Sequence, residues 1–307
     1  MGWTIVRAYE VHLSGVQPVG LHRFRLETRP AWMRCSSDGI QNAYLGLAVS
    51  RLTSLSRSVE GHAALVTGAG SGIGRATAHL FADEGVGVAV TDVSYDRAAR
   101  VAEEIAAAGG RARAWELDVS DSAVIGSVVD EVADWSECLD ILVNNAGMAA
   151  GGVIDGECFE VAWQRAIDVM LTAQALMIRA CLPHLRGSSA GRIVNVSSTE
   201  GVGGSAGMSP YTAAKHGVLG LTRSLAIELG EAGITVNAVC PGPINTDLTS
   251  PIPDEAKARF ARRRTAVGRY GDPEEVAHAI LHLVLPASSY ITGHTLMVDG
   301  GMTIRNN

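Results

Sequence analysis

Two side chains that could exchange a proton lie four residues apart in the segment PYTAAK, residues 210–215. Lys215 is one of only two lysines in the 307-residue chain, in which nearly every other strong base is an arginine. A compact ammonium can lie beside a phenol, lower its pKa and still donate to a sugar hydroxyl, whereas a planar guanidinium cannot take that geometry. One interpretation of the pair is a phenol whose pKa is lowered by a neighbouring ammonium. The alternative is a surface Tyr–Lys pair worth only about 0.2–0.5 kcal/mol.

The spacing of this pair requires a helix. Ser209 is a good N-cap residue and Pro210 suits the first helical position, so a helix is predicted from here to about Leu229. Tyr211 and Lys215 would then lie one turn apart on the same helix face.

A glycine-rich segment, TGAGSGIG at residues 67–74, lies between a predicted strand and a predicted helix. Glycines permit a tight turn and let backbone amides at a helix N-terminus approach a pyrophosphate. The segment therefore predicts a dinucleotide site. Its cofactor-binding residues would be Gly68, Ser71, Gly72, Ile73 and Gly74.

Asp92 lies 18 residues beyond Gly74, at the end of the second predicted strand. A carboxylate there accepts hydrogen bonds from an adenosine ribose and repels a 2′-phosphate. Neither Ser71 nor Val93 supplies a cation to offset that repulsion, so the sequence predicts NAD rather than NADP. The alternative interpretation of Asp92 is a helix cap at the end of a strand.

Two further turns follow predicted strands. Asp118 and Val119 would either contact the adenine or cap the next helix. The segment NNAG, residues 144–147, would let the chain pass close to a flat cofactor, with asparagine side chains holding the neighbouring loop. Asn145 is therefore a candidate cofactor-binding residue, although NNAG alone would be read as a plain turn.

Strands and helices are predicted to alternate from His62 to the end of the chain. Because the strands are apolar throughout, they indicate an α/β fold with a parallel sheet covered by helices on both faces. Ligands in such sheets bind at the carboxyl ends of the strands, where all of these motifs fall. The strands are predicted at 63–66, 86–91, 113–117, 139–143, 192–196, 235–239 and 294–298. The helices are predicted at 74–84, 96–108, 121–135, 159–182, 211–229 and 273–285.

Composition excludes several classes of protein. The net charge of −7 and the lack of a dense basic face argue against nucleic acid. No stretch approaches the apolar length of a membrane span, so no membrane partner is expected. Five scattered cysteines without metal-ligand spacing favour a reduced cytoplasmic setting and no metal. The arginine-rich residues 1–60 are expected to be a disordered extension or to precede a later start such as Met33. The domain is expected to span 61–307.

As an ordered set, these motifs resemble those of the short-chain dehydrogenase/reductase family, over about residues 61–302. The motifs are TGAGSGIG, Asp92, NNAG, Ser198, YTAAK, PGPINT at 241–246, ITGH at 291–294 and VDGG at 298–301. The resemblance implies a single Rossmann-type doubly wound parallel sheet of about seven strands. It also implies a nucleotide-binding oxidoreductase, and a homotetramer or dimer in which Asp299 and the C-terminal glycines pack at an interface.

The resemblance also implies a role for each site residue. Ser198, 13 positions before Tyr211, would hydrogen-bond the substrate oxygen, while Ser197 would be structural. Tyr211 would be the general acid/base, and Lys215 would bind the nicotinamide ribose. Pro241, Ile244 and Thr246 would hold the nicotinamide carboxamide end.

One position departs from the family pattern. The helix before the fifth strand usually carries an asparagine in a segment of the form Asp-Val-Asn-Leu, and here Met170 replaces it. In the family this asparagine shapes a helix distortion whose carbonyl holds a water linked to the lysine. We therefore expect activity to be retained with slower proton exchange. The alternative is that Met170 only fills a gap in the core.

The expected activity is the NAD-dependent interconversion of a secondary alcohol and a ketone. The expected substrate is therefore a small-molecule alcohol or ketone. One alternative is an NADPH-linked 3-oxoacyl carrier reductase. Another is a catalytically impaired nicotinamide-binding sensor or scaffold. A long mobile loop at 245–268 is expected to cover the substrate, with the flexible segment 201–207 opposite it. The arginine run 262–264 would either attract an anionic substrate or form a solvated helix face.

Overall fold

The computed structural model describes residues Thr53–Arg305, which belong to one compact unit beginning at Thr53. The expected extension at 1–60 thus lies largely outside the described residues. Residues just before 61 pack onto the unit, because Val59 is buried in its core and the Ser56 carbonyl accepts a hydrogen bond from the Ala287 amide at 2.8 Å.

A seven-stranded sheet forms the centre of this unit, with every strand pair parallel. The spatial order β3-β2-β1-β4-β5-β6-β7 runs outward in both directions from the central pair β1 and β4. This is the doubly wound sheet predicted from the sequence, and all seven predicted strands are present. The strands are β1 Ala63–Thr67, β2 Gly87–Asp92, β3 Ala112–Glu116, β4 Ile141–Asn144, β5 Arg192–Val196, β6 Thr235–Pro241 and β7 Thr295–Val298.

Successive residues of a strand point to opposite faces of the sheet, and here both sets are apolar, so helices cover both faces. One buried cluster includes Val66 and Val143 and packs against α1, α2 and α8. The other includes Leu65 and Leu142 and packs against α3, α5 and α6. The helices are α1 Gly72–Asp83, α2 Tyr95–Ala107, α3 Ser122–Ser136, α4 Phe159–Ile167, α5 Ala173–Gly187, α6 Ser209–Leu229, α7 Asp254–Arg264 and α8 Pro273–Val284.

The single helix predicted at 159–182 is longer and is distorted in its middle. A π-helical turn at Asp168–Thr172 separates α4 from α5. The continuous stretch Phe159–Gly187 has a mean hydropathy of 1.4 over 18 residues, enough by length and composition for a membrane span. The expectation that no stretch approaches that limit was therefore wrong. Met177 and Leu185 of this stretch are buried in the core of the domain, which explains its apolar character.

Two local predictions on other helices differ from the structure. Helix α7 lies inside the segment predicted as a long loop at 245–268. The sequence gives no helical pattern here, because only Ala261 is buried and the apolar residues follow no helical period. In α6, Met208 is the N-cap residue and Ser209 is already helical, so the predicted cap is shifted by one residue. Tyr211 and Lys215 remain one turn apart.

Candidate active site

A cleft of about 800 Å³ opens at the carboxyl edge of the sheet, beside the switch in strand order between β1 and β4. It is the position at which doubly wound sheets bind ligands. Of the predicted site residues, all but Gly74 line this cleft. They are Gly68, Ser71, Gly72, Ile73, Asp92, Asp118, Val119, Asn145, Ser198, Tyr211, Lys215, Pro241, Ile244 and Thr246.

The glycine-rich turn is fastened to the loop after β4. The Asn145 amide nitrogen donates to the carbonyls of Thr67 and Gly68 at 2.9 and 3.1 Å, as expected for an asparagine that holds the neighbouring loop. Gly68 has a φ of +62°, and a Cβ there would lie 2.9 Å from the Cα of Ala146. Glycine therefore permits both the backbone turn and the close approach of the two loops.

Gly74 differs from the expectation because it lies behind the turn, away from the cleft. A Cβ at this position would meet the Gly68 carbonyl and lie 2.5 Å from the Asn145 amide nitrogen. Gly74 therefore allows α1 to pack closely against the turn. The first helical residues, Gly72 and Ile73, line the cleft instead, and a helix N-terminus attracts an anion.

Asp92 is buried at the end of β2 and is tied to two loops. One carboxylate oxygen, Oδ2, accepts from the Gly70 amide at 3.0 Å, and the other, Oδ1, accepts from the Ser94 amide at 3.0 Å. Ser94, not Asp92, is the N-cap residue of α2, so the helix-cap interpretation of Asp92 does not hold.

Arg97 is a residue that the sequence analysis missed. Its Nη2 donates to Asp92 Oδ1 at 2.7 Å and its Nε donates to the same oxygen at 3.2 Å. Arg97 also lines the cleft, so a cation lies next to the carboxylate that was predicted to bind the ribose. The signal that could have revealed it is the spacing, because a residue in the first turn of α2 can reach back to the end of β2.

Asp118 lines the cleft and is held by Ser120, whose amide and hydroxyl donate to Oδ1 at 2.9 and 2.7 Å. Hydrogen bonds from Ser120 lower the pKa of Asp118 despite its partial burial. Helix α3 is capped by Asp121, whose Oδ1 accepts from the Ala123 amide at 3.0 Å. Asp118 is therefore not the cap of this helix, and the interpretation as a possible adenine contact stays.

Ser198, Tyr211 and Lys215 come together where β5, α6 and the cleft meet. The Lys215 ammonium lies 5.7 Å from the centroid of the Tyr211 ring and donates to the Val196 carbonyl at 2.8 Å. Only 3% of Lys215 is exposed. Because an ammonium has three donors, two remain beyond the bond to Val196, and Lys215 lines the cleft.

Burial dominates the acid–base properties of this group. It raises the pKa of Tyr211, a hydrogen bond with Ser198 opposes that rise, and the negative charge of Glu200 adds to it. Burial also lowers the pKa of Lys215 to about 8. The expectation that Lys215 brings the phenol pKa down is therefore not met by the protein alone, in which the pKa of Tyr211 is raised.

Ser197 and Cys240 pack against the backbone and side chains that hold Ser198, Tyr211 and Lys215 in place. The Ser197 hydroxyl donates to the backbone carbonyl of Lys215 at 2.9 Å, which fits the structural role expected of this serine. The Cys240 thiol is buried beside Ser197, and burial raises its pKa.

The loop after β6 forms the wall opposite the glycine-rich turn. A Cβ on Gly72 would lie 3.3 Å from the Cβ of Thr246, so the two loops nearly touch across the cleft. The Thr249 hydroxyl donates to the Ile244 carbonyl at 2.7 Å and accepts from the Thr246 amide at 3.1 Å. These bonds fix the position of Thr246.

Two segments expected around the substrate lie elsewhere. No residue of 201–207 lines the described cleft, and Glu200 ties this segment to α6 by accepting from Ser205 and Thr212, both at 2.7 Å. The arginine run 262–264 forms the exposed last turn of α7 and does not line the cleft either. This placement favours the solvated-face interpretation of the run.

The chemistry of the cleft fits a nicotinamide dinucleotide along its whole length. Asp92 and Asp118 offer acceptors for an adenosine at one end, and the α1 N-terminus offers amides for a pyrophosphate in the middle. Tyr211, Lys215 and Thr246 surround the other end, where a proton donor and a cation adjoin an open space. Fold and site together define a dinucleotide-binding oxidoreductase.

Comparison with known proteins agrees with this class. A family model described as Enoyl-(Acyl carrier protein) reductase matches residues 68–303. The chain belongs to the short-chain dehydrogenase/reductase family.

Three similar proteins illustrate the range of the family. The chain is 43% identical to cis-4-hydroxycyclohexanecarboxylate dehydrogenase of Sinomonas cyclohexanicum over 78% of this chain and 96% of the relative. It is 41% identical to the 3-oxoacyl-(acyl-carrier-protein) reductase FabG of Vibrio harveyi, over 80% and 98%. A putative NAD(P)-dependent gluconate 5-dehydrogenase from Beutenbergia cavernae, solved with NADP bound at low occupancy, superposes with a TM-score of 0.76. That structure is 37% identical, covering 81% of this chain and 99% of its own.

Proposed function

We propose that this protein is an oxidoreductase that interconverts a secondary alcohol and a ketone, with NAD as its preferred cofactor. The observation that carries the proposal is the convergence of Ser198, Tyr211 and Lys215 at one end of a dinucleotide-sized cleft, with Asp92 at the other end. A bound nicotinamide would supply the hydride acceptor or donor.

Tyr211 moves the proton at the reacting oxygen. Because burial raises its pKa, the phenol is protonated at neutral pH and can donate to the oxygen of a ketone. In the oxidation direction it must accept a proton, and the nearby Lys215 ammonium favours the phenolate that this requires. Ser198 stabilises the same oxygen by a hydrogen bond.

The names of the relatives support a substrate with a hydroxyl or keto group. One relative is a dehydrogenase of a hydroxycyclohexanecarboxylate, and another reduces a 3-oxoacyl group. The cleft presents apolar side chains near Tyr211, namely Met148, Val169 and Met170, which cluster with it. We expect the substrate to bring an apolar body next to its reacting carbon.

The test is a panel of secondary alcohols and the matching ketones, assayed with NAD(H) and NADP(H) by nicotinamide absorbance. Wild-type protein should turn over at least one pair, and Tyr211→Phe should lose at least about a thousandfold in kcat/KM. The matched control is Tyr290→Phe, which removes the hydroxyl of a fully exposed tyrosine and should leave turnover unchanged. Wild-type activity retained by Tyr211→Phe would refute the assignment. Cofactor binding without turnover on any substrate would favour the sensor or scaffold alternative.

A second candidate is an NADPH-linked 3-oxoacyl carrier reductase. The similarity to the Vibrio harveyi reductase favours it, while the Asp92 carboxylate at the ribose site argues against NADPH. Including a 3-oxoacyl thioester in the panel separates the two, since the second candidate requires that substrate to have the highest kcat/KM.

We further propose that the protein is a cytoplasmic homo-oligomer, either a tetramer or a dimer. The support for oligomerisation is a set of large apolar side chains exposed on the described surface outside the cleft, including Ile227 and Tyr290. The support for a reducing compartment is that the four cysteines of the described residues, Cys138, Cys158, Cys181 and Cys240, are free thiols.

A further inference from the structure

The corner of the cleft that receives the adenosine ribose contains an ion pair, Asp92–Arg97, with unequal exposure. The Asp92 side chain is 6% exposed, whereas that of Arg97 is 46% exposed and lines the cleft. Within the described residues, the hydrogen bonds of the Arg97 guanidinium all go to Asp92 Oδ1. The Asp92 carboxylate is thus held in place, whereas the exposed Arg97 guanidinium has room to move away from it.

The hydrogen bonds to Asp92 are distributed unevenly between its two oxygens. Oδ1 accepts from the Ser94 amide and twice from Arg97, which exceeds its two lone pairs. Oδ2 accepts only from the Gly70 amide and has one acceptor position open. With the ion pair in place, Asp92 can therefore accept from one ribose hydroxyl through Oδ2, and a second would have to compete with Arg97.

Gly70 fixes the geometry of this corner. A Cβ on Gly70 would lie 2.7 Å from Asp92 Oδ2 and 2.7 Å from the Arg97 Cβ. The glycine-rich turn therefore packs directly against both partners. The flexible end of Arg97 beyond its Cβ remains the one part of the pair with space to rotate into the cleft.

The pair also changes the charge that a ribose substituent meets. An isolated Asp92 would present a negative charge to a 2′-phosphate, whereas Asp92 paired with Arg97 is close to neutral. A guanidinium has five N–H donors and binds phosphate through two of them at once. Two are used on Asp92, so three remain, and rotation of the side chain would free all five.

We propose that Arg97 sets cofactor selectivity: it holds Asp92 for the ribose of NAD, and it turns to the 2′-phosphate of NADP, so that both cofactors are used. This inference rests on the proposed function and deepens it. NAD remains preferred because binding of NADP breaks the ion pair. The preference is expected to be within about thirtyfold, smaller than a lone carboxylate at this position would impose.

The experiment measures dissociation constants of NADH and NADPH by cofactor fluorescence, which needs no substrate. Wild-type protein should bind both. In Arg97→Gln the ratio of the NADPH constant to the NADH constant should rise at least tenfold, mainly through weaker NADPH binding. Arg97→Lys, which keeps the charge but loses the paired donors, should give an intermediate ratio. The matched control is Arg100→Gln, since Arg100 is an exposed arginine on α2 that does not line the cleft and should leave the ratio unchanged.

Each other outcome has a distinct meaning. An Arg97→Gln ratio equal to that of the wild type, or a wild type that binds NADH and shows no NADPH binding, overturns the role of Arg97 and leaves the proposed oxidoreductase intact. An equal shift in Arg100→Gln also overturns it, because the effect would then be one of general charge. Absence of binding of either cofactor overturns the proposed function together with this inference.

Discussion

The Lys215 ammonium combines a buried position with a charge that the proposed chemistry needs. Its hydrogen bond to the Val196 carbonyl compensates part of the cost of burial, and the rest appears as a pKa lowered from 10.5 to about 8. An arginine would stay charged but could not fit the same compact site. Compact size and a pKa that burial can lower thus explain why residue 215 is a lysine in a chain whose strong bases are otherwise nearly all arginines.

Lys215 should make the stability of the protein depend on pH. Below about pH 8 the folded protein holds a buried charge that the unfolded chain, with a pKa of 10.5, hydrates freely. This cost disappears as the pH rises from 8 to 10.5, because the folded state then binds fewer protons than the unfolded state. Relative to Lys215→Met, the wild type should gain roughly 2–3 kcal/mol of unfolding free energy between pH 7 and pH 10.

Urea unfolding of both proteins at several pH values measures this difference. Tyr211 and Cys240, whose pKa values are raised by burial, remain in both proteins, so the comparison isolates the amine. Parallel stability profiles of the two proteins over this range would show that Lys215 is not desolvated as the structure indicates.

At the scale of elements, the helix distortion at Asp168–Thr172 forms although Met170 replaces the asparagine that usually accompanies it. The Met170 side chain is fully buried and packs in a cluster with Ala150, Ala166 and Ala214, to which Tyr211 also contributes. Packing between α4, α5 and α6 therefore suffices to maintain the π-turn without the side-chain amide. Met170 therefore both fills the core and adjoins Tyr211, the proposed general acid/base.

Met170→Asn should raise turnover, because its amide can hydrogen-bond within the π-turn and speed proton exchange with Lys215. The solvent deuterium isotope effect on kcat should fall accordingly. The same variant should lose about 1–3 kcal/mol of stability by placing an amide in an apolar cluster. Met170→Leu, of similar volume, is the control and should leave kcat unchanged. A lower kcat in Met170→Asn, with normal turnover in Met170→Leu, would contradict this account.

At the scale of the whole molecule, the sheet topology explains how distant segments form one site. Strands β1 and β4 are neighbours although β2 and β3 intervene in the chain. The helices that follow them, α1 and α5, pack on opposite faces of the sheet, and the cleft opens at this switch point. Residues between Gly68 and Thr246 meet there because every strand is parallel and ends at the same edge.

The proposed oligomer can be tested by size-exclusion chromatography with light scattering. The mass should be two or four times that of the 307-residue chain. A charged substitution at Ile227, which is 84% exposed on α6, should lower the mass if that face is buried between copies. Glu103→Lys, on α2 at the opposite face of the sheet, should leave it unchanged. A monomeric wild type would refute the oligomer without affecting the site.

The sequence by itself determined the alternation of strands and helices, the parallel sheet and most of the predicted residues that line the cleft, because apolar strands and glycine-rich turns leave local patterns. Residues at the ends of strands, such as Asp92 and Ser198, could be placed because parallel topology brings strand ends together. Helix α7 could not be predicted, since its solvated sequence carries no apolar period.

Only the tertiary structure decided how the side chains act on one another. It placed Arg97 on Asp92, moved Gly74 behind the turn and showed that burial raises the pKa of Tyr211. These outcomes depend on distances between segments and on exclusion of water. A linear pattern of residues specifies neither of them.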